Sequence, residues 1–142
     1  MTTQSTVEIG AAYIRVSTND QTELSPDAQL RVILESAKAD GYVIPKEFVY
    51  IEKKGVSGRR ADNRQEFQRM VATAKTQPCP FKRLYLWKFS RFARNQDESV
   101  FYKSVLRKKC GVEIKSVSEP IADGMFGRLI ESIIEWFDEY YS

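Results

Sequence analysis

Short, continuous apolar runs alternate along the chain with longer segments in which apolar residues recur every three or four positions. A continuous run is typical of a strand buried on both faces of a parallel sheet, whereas the longer spacing is typical of an amphipathic helix. The predicted strands are residues 7–16, 48–51, 84–87 and 112–117. Strands and helices therefore alternate through most of the sequence.

The predicted helices have recognisable start signals. Ser25 is followed by a proline and an aspartate, which together are typical of a helix N-terminus, and the apolar spacing continues from there to Gly41. Asn63 is placed to cap a second helix, and Asn95 or Asp97 to open a third. From residue 126 a 3.6-residue period predicts a long amphipathic C-terminal helix, with apolar positions at Leu129, Ile130, Ile133, Ile134, Phe137 and Tyr141.

This alternation predicts an α/β fold, in which an open, mostly parallel sheet of four to five strands is flanked by helices on both faces. The 142 residues fit a single domain. Ligands bind such sheets beyond the carboxyl ends of the strands. We therefore expect a site formed by Ser17, residues 52–62 and residues 88–95.

The composition excludes several kinds of chemistry. The sequence has no histidine and only two cysteines, Cys79 and Cys110, which rules out the usual zinc sites and Ser-His-Asp or Cys-His catalysis. No apolar run approaches the ~20 residues of a membrane-spanning helix, and the first residues lack the basic and apolar regions of a signal peptide. We expect a cytoplasmic protein with reduced thiols.

Charge is unevenly distributed along the chain. The net charge is +3, but residues 75–115 contain eleven basic and three acidic residues, whereas residues 116–142 contain one basic and six acidic residues. A basic middle is typical of a protein that contacts phosphates, and the acidic end suits a surface for a protein partner.

The ends of three predicted strands carry hydroxyl and basic side chains together. They comprise Arg15 and Ser17, then Ser57, Arg59, Arg60 and Arg64, then Lys88, Ser90, Arg91 and Arg94. Arginine binds phosphate oxygens through paired hydrogen bonds and stays charged, so several arginines can neutralise a phosphodiester without a metal ion. We expect no cofactor and no metal, with Ser17 as a nucleophile that forms a covalent phosphoserine.

These residues belong to five motifs that succeed one another along the chain. They are Tyr13-Ile14-Arg15-Val16-Ser17-Thr18 with Gln21, Ser25 with Gln29, Gly55-Val56-Ser57-Gly58 with Asn63-Arg64-Gln65-Glu66-Phe67, Trp87-Lys88-Phe89-Ser90-Arg91-Phe92-Ala93-Arg94-Asn95, and Phe126-Gly127-Arg128-Leu129. From Ala11 to its end, the chain resembles the catalytic domain of serine site-specific recombinases, and most closely the large serine recombinases of phages and conjugative transposons.

The resemblance implies a reaction and its residues. Ser17 matches the nucleophile, which attacks DNA to form a 5′-phosphoserine link and release a free 3′-OH. Arg15 matches an arginine that contacts the scissile phosphate, and alternation along a strand places it on the same face as Ser17. The other matched catalytic residues are Gln29, Ser57, Arg64, Arg91 and Arg94. Contact with DNA is implied for Arg15, Arg64, Lys88, Arg91 and Arg94.

The resemblance also implies an assembly without a membrane. Members of the family bind double-stranded DNA at a crossover site as a homodimer, and two dimers form a synaptic tetramer that cleaves and rejoins the strands. Residues 124–142 then begin an oligomerisation helix that bears Trp136 and Tyr140, and the DNA-binding region lies outside this chain. We expect residues 1–142 to form one catalytic domain with little activity alone.

Two positions depart from the pattern of the family. Many relatives have an aspartate shortly before the loop serine, where this chain has Lys53 and Lys54, and Glu52 is the candidate substitute. Many also have an aspartate before the first arginine of the R-x-x-R motif, where this chain has Ser90.

Two other functions fit parts of the same pattern. In a metal-dependent phosphatase or nuclease of α/β fold, Asp20, Glu52 or Asp62 would hold Mg²⁺. In a non-catalytic module the chain would only dimerise or bind the phosphate backbone, and it would tolerate Ser17→Ala.

Overall fold

A computed structural model describes residues 7–16, 24–52, 64–88, 91 and 101–118, together with residues 129, 132, 133, 136 and 140. The strands and α-helices of these residues are β1 (Glu8–Ile14), α1 (Pro26–Ala39), β2 (Tyr42–Val43), β3 (Val49–Ile51), α2 (Gln65–Ala74), β4 (Arg83–Leu86) and β5 (Glu113–Ser116). A 3-10 turn (Lys46–Phe48) precedes β3, and a π-helical turn (Val105–Lys109) comes after four α-helical residues and precedes β5.

The five strands form one sheet in which every described pairing is parallel. The order is β2-β1-β4-β5, and β3 also pairs with β1. Tyr13 lies opposite Tyr50 on one side and Leu86 on the other, and Leu86 lies opposite Ser116. β1 is therefore central, which explains why its apolar run is continuous rather than alternating.

Each face of the sheet is covered by one of the α-helices. One buried cluster joins Ile33 and Ala37 of α1 to Ala12 and Ile14 of β1. The other cluster joins α2 to the opposite face through Phe67, Met70, Val71 and Ala74, which pack with Ala11, Tyr13, Leu84 and Leu86. Successive residues of β1 thus alternate between the two cores, as the pleat of a strand requires.

The predicted α/β architecture is confirmed, with differences at the element ends. α1 begins after Ser25, whose Oγ accepts the Ala28 N–H at 3.2 Å, and it is followed by Gly41, whose φ of 83° suits glycine. β2 was not predicted, because two residues are too short to show a period. Arg64, without a side-chain capping bond, is the N-cap of α2 in place of the predicted Asn63, which lies outside the described residues.

The C-terminal helix stays a prediction over most of its length. The five residues described beyond residue 118 are all helical, but the others in this stretch lie outside the described part of the chain. The predicted start of the third helix also lies outside the described residues, and the helical part that is described begins at residue 101.

Candidate active site

Three arginines lie largely buried beyond the carboxyl ends of the strands or at the start of α2. Arg15 comes directly after β1, Arg64 precedes α2 and Arg91 comes five residues after β4; they are 7%, 0% and 9% exposed. The Glu52 N–H donates to the Ile14 carbonyl at 2.9 Å, so β3 and β1 stay paired up to the position where Arg15 begins. Burial of guanidinium groups is rare unless partners compensate their charge.

Arg64 is held by aromatic rings and by a hydroxyl group. Its Cζ lies 4.1 Å from the centre of the Phe67 ring and 5.5 Å from the centre of the Tyr13 ring. Its Nε donates to the Tyr13 hydroxyl at 3.1 Å. Since aromatic faces attract a cation and the Tyr13 hydroxyl accepts a hydrogen bond from the guanidinium, the buried guanidinium has a defined position rather than a choice of rotamers.

Glu52 caps α2 from a different element of the fold. Its Oε1 accepts the Glu66 N–H at 3.2 Å, and its Oε2 accepts the Phe67 N–H at 3.0 Å and the Tyr13 hydroxyl at 2.8 Å. Those amides belong to the first turn of α2, where N–H groups have no partner within the helix and a negative charge is favoured. This carboxylate, 5% exposed, supplies the cap that the N-cap residue itself lacks.

Tyr13 joins the carboxylate to the guanidinium. Burial raises the pKa of the Tyr13 hydroxyl well above its usual range, and Glu52 raises it further although Arg64 lowers it. The hydroxyl is therefore neutral at physiological pH, where it donates to Glu52 and accepts from Arg64. One chain of hydrogen bonds thus links β1, the end of β3 and the start of α2.

Gln29 lies in the first half of α1 and is fully buried. Its Nε2 donates to the Leu24 carbonyl at 2.9 Å, whereas its Oε1 accepts no hydrogen bond from the described residues. An amide oxygen buried in this way favours a donor nearby. Within the described part of the chain, Gln29 is therefore an available acceptor near the N-terminal end of α1.

The end of β4 is fixed by hydroxyl groups of β5 and of the residues just beyond it. The Trp87 carbonyl accepts the Ser118 N–H at 3.0 Å, the Ser118 Oγ at 2.6 Å and the Ser116 Oγ at 3.3 Å. One residue later, the Lys88 carbonyl accepts the Arg91 N–H at 3.0 Å, which places Arg91 in a tight turn directly beyond the strand.

The chain matches the family described as "Resolvase, N terminal domain" over residues 10–142. The chain belongs to the resolvase family. Membership supports a role as the catalytic domain of a recombinase in site-specific DNA recombination, and the region matched includes every predicted site residue.

Two solved structures have the fold of this resolvase-family chain. The N-terminal catalytic domain of TP901-1 integrase is 23% identical with a TM-score of 0.72, and the match covers 94% of this chain and 96% of that one. A resolvase-family site-specific recombinase from Streptococcus pneumoniae is 24% identical with a TM-score of 0.69, and the match covers 94% and 90%. Comparison with curated protein sequences gives no match.

The structure describes part of the predicted resolvase site. Arg15, Gln29, Arg64, Lys88 and Arg91 are described, and all except the half-buried Lys88 are buried. Ser17, Ser57 and Arg94 lie outside the described residues, as do Ser90, Asp20 and Asp62.

The sequence analysis missed the parts played by Tyr13, Ser116 and Ser118. Tyr13 had a detectable signal, because alternation along β1 places it on the same face as Arg15. The two serines had a weaker one, a Ser-x-Ser pattern at the end of a strand. Within the described residues, no group of three or more Cys, Asp or Glu is arranged to hold a metal, and no helix has the length and apolar character to cross a membrane.

Proposed function

We propose that this chain is the catalytic domain of a serine recombinase, which cleaves and rejoins DNA during the integration or excision of a mobile element. Ser17 is the nucleophile, and the reaction passes through a 5′-phosphoserine intermediate. The observation that carries the proposal is the burial of Arg15, Arg64 and Arg91 around the carboxyl end of a parallel sheet in a resolvase-family chain.

In the proposed reaction the Ser17 oxygen attacks the phosphorus of a phosphodiester. The Ser17 hydroxyl gives up its proton as its oxygen bonds to phosphorus, the bond from phosphorus to the 3′ oxygen breaks, and the 3′ oxygen takes up one proton and leaves as a hydroxyl, so the proton lost by Ser17 is matched by the one gained. Attack by a 3′-OH on the phosphoserine reverses these changes, so no external energy source is needed to rejoin the strands.

The arginines stabilise the negative charge that develops on the phosphate oxygens in this reaction. Phosphoryl transfer depends mainly on position and on neutralising the non-bridging oxygens, which guanidinium groups do through paired hydrogen bonds. Arg15, Arg64, Arg91 and Arg94 are the proposed phosphate ligands, with Lys88 as a further DNA contact and with Ser57 and Gln29 beside the nucleophile. Arg64 supports this assignment best, because the Phe67 ring and the Tyr13 hydroxyl hold its guanidinium in place before DNA binds.

The hydrogen bonds of Glu52 weaken the metal-dependent alternative. Both of its oxygens accept hydrogen bonds from described residues, which are the Tyr13 hydroxyl and the N–H groups of Glu66 and Phe67. A carboxylate that bound Mg²⁺ would have to give up the cap of α2. Of the three carboxylates considered as magnesium ligands, Glu52 is therefore better explained as a structural acceptor.

We also propose that the chain acts as a homodimer that forms a tetramer on double-stranded DNA. Leu129, Ile133, Trp136 and Tyr140 are 48–67% exposed and have the i, i+4, i+7, i+11 spacing of an apolar helix seam. The Trp136 and Tyr140 rings stack at 5.3 Å. Exposed apolar residues in such a row favour a second helix as their partner.

The test is a trapped cleavage reaction. The chain is fused at its C-terminal end to a DNA-binding domain of known target, and the DNA carries that target on both sides of a nicked central step. We expect a covalent protein–DNA adduct on a denaturing gel that protease removes, EDTA leaves intact and Ser17→Ala abolishes. The control is Ser36→Ala, a change in the C-terminal half of α1, which leads to the amino end of the sheet, away from the carboxyl end.

Each other outcome selects an alternative. An adduct that persists in Ser17→Ala contradicts the nucleophile assignment. Cleavage that EDTA stops supports a metal-dependent nuclease. A wild-type chain that binds this DNA without forming any adduct supports the non-catalytic module.

A further inference from the structure

The Trp87 carbonyl accepts more hydrogen bonds than a strand carbonyl normally does. A carbonyl in a parallel ladder accepts one N–H from the neighbouring strand, and here Ser118, two residues past the end of β5, supplies an N–H at 3.0 Å. The hydroxyls of Ser116 and Ser118 add two further bonds, at 3.3 and 2.6 Å. The peptide at the end of β4 is therefore held by three donors from one neighbouring segment.

The path of the chain after β5 brings both hydroxyls to the same oxygen. β5 ends at Ser116, and the chain bends at Val117 and Ser118. The Val117 N–H donates to the Leu86 carbonyl at 2.8 Å and the Ser118 N–H donates to the Trp87 carbonyl at 3.0 Å, so both residues stay bonded to the end of β4 and to the residue after it. Ser116 is 3% exposed whereas Ser118 is exposed, so one bond is shielded from water and the other lies at the rim.

The position of Trp87 in the chain makes this contact relevant to the reaction. Lys88 is the next residue, and its carbonyl accepts the N–H of Arg91. The fixed peptide therefore immediately precedes the turn that carries the first arginine of the R-x-x-R motif. Without the two hydroxyls, the Trp87 carbonyl would keep, among its bonds to described residues, only that from the Ser118 N–H at the point where the chain leaves the sheet.

We propose that Ser116 and Ser118 are positioning residues for strand cleavage, which fix the Trp87 carbonyl and thereby the position of Arg91 relative to the scissile phosphate. This inference rests on the proposed function of Arg91. The serines touch neither DNA nor the reacting atoms, and their effect passes through Trp87, Lys88 and the hydrogen bond from the Arg91 N–H to the Lys88 carbonyl. Displacements of about 1 Å in a group that positions the reacting atoms can slow a reaction ~100-fold.

The experiment uses the same fusion and nicked DNA, with adduct formation measured over time under single-turnover conditions. We expect Ser116→Ala with Ser118→Ala to lower the rate at saturating DNA by about tenfold or more, with little change in the DNA concentration that gives half the maximal rate. Affinity should hold because the attached DNA-binding domain dominates it. In the otherwise wild-type chain, Ser118→Thr keeps a hydroxyl and should therefore keep most of the wild-type rate.

A second measurement separates positioning from a general loss of stability. Ser118→Ala alone removes a hydroxyl at the rim, so it leaves a folded protein even if the double variant does not fold. We expect Ser118→Ala to lower the rate of adduct formation severalfold in the otherwise wild-type chain. It should have little further effect on that rate in an Arg91→Lys background, because both changes act on one interaction. Ser36→Ala is the matched control and should react like wild type.

The outcomes also distinguish this inference from the function on which it rests. If wild type forms no Ser17-dependent adduct, the proposed function fails. If wild type forms the adduct and Ser118→Ala reacts at the same rate, or if its effect and that of Arg91→Lys are simply additive, the positioning role is overturned. A lower melting temperature with an unchanged rate below it assigns the serines to stability alone.

Discussion

The two ends of the sheet each carry a network of charged groups and one tyrosine, but they differ in contact with water. At the carboxyl end, Glu52, Tyr13 and Arg64 are all at most 5% exposed. At the amino end, Asp40 Oδ2 accepts from Lys115 at 2.7 Å, from Tyr85 at 2.9 Å and from Arg83 at 3.2 Å; Arg83 also donates to Glu113 at 2.6 Å. The ion-paired side chains there are 19–62% exposed.

This difference indicates what each network contributes. Exposed ion pairs are screened by water and add little free energy, so the amino-end network mainly joins the end of α1 to β4 and β5. A buried ionic group contributes little net stability, yet losing one partner is costly. The carboxyl-end network is therefore better understood as a way to hold a guanidinium in one place, at a cost in stability that the proposed role of Arg64 explains.

The two ends of the sheet should differ most in the stability that each loses when one of its carboxylates is removed. We expect Glu52→Ala to lower the free energy of unfolding by about 3 to 5 kcal/mol, because two amides of α2 and the Tyr13 hydroxyl lose their acceptor in a buried place. Glu113→Ala at the amino end should cost at most about 1 kcal/mol. Urea denaturation of both variants checks this, and similar losses for the two would remove the contrast.

A smaller difference should result from removing each tyrosine hydroxyl. Tyr13→Phe takes from Glu52 a donor and from the Arg64 Nε its acceptor, so we expect a loss of about 1 to 3 kcal/mol and slower adduct formation. In Tyr85→Phe, Asp40 keeps Lys115 and Arg83, so the loss should be about 1 kcal/mol or less with an unchanged rate. Equal rates for the two variants would argue against any catalytic value of the Tyr13 link.

The same contrast shows how far sequence patterns reach. Apolar runs and the Ser25 cap predicted β1, α1, β3, β4 and β5, because these depend on local spacing. Parallel topology then predicted that arginines after different strands share one edge. The bond between Tyr13 and Glu52 joins residues 39 positions apart and depends on Tyr13 lying opposite Tyr50, a register that no local pattern contains.

The cap of α2 has the same origin. A helix N-terminus is recognised in a sequence by the residue that precedes it, which led to Asn63. Here the acceptor comes from Glu52 at the end of β3, and Arg64 is the N-cap. A contact between distant parts of the chain thus takes the place of the capping residue that the sequence predicts. It does so beside Arg64, which is a proposed phosphate ligand.

The smallest expected effect is the pH dependence of the amino-end network. Burial raises the pKa of Asp40, but hydrogen bonds from Lys115 and Tyr85 outweigh it, so the pKa is lowered overall. A carboxyl group with a lowered folded-state pKa stabilises the fold above its unfolded value of about 3.9, and this contribution is lost as pH falls through the folded-state pKa. The difference in unfolding free energy between wild type and Asp40→Asn should therefore be constant from about pH 7 to 5, and it should shrink below about pH 4.

Salt provides the matching control for that prediction. Because Asp40 and its partners are partly exposed, raising the ionic strength should reduce the difference in unfolding free energy between wild type and Asp40→Asn at about pH 7. The loss caused by Glu52→Ala should change little, since water and ions do not reach a carboxylate that is 5% exposed. If the difference in unfolding free energy for Asp40→Asn is unchanged at low pH and at high salt, the amino-end network depends on packing rather than on charge. The two ends of the sheet would then differ less than their exposure indicates.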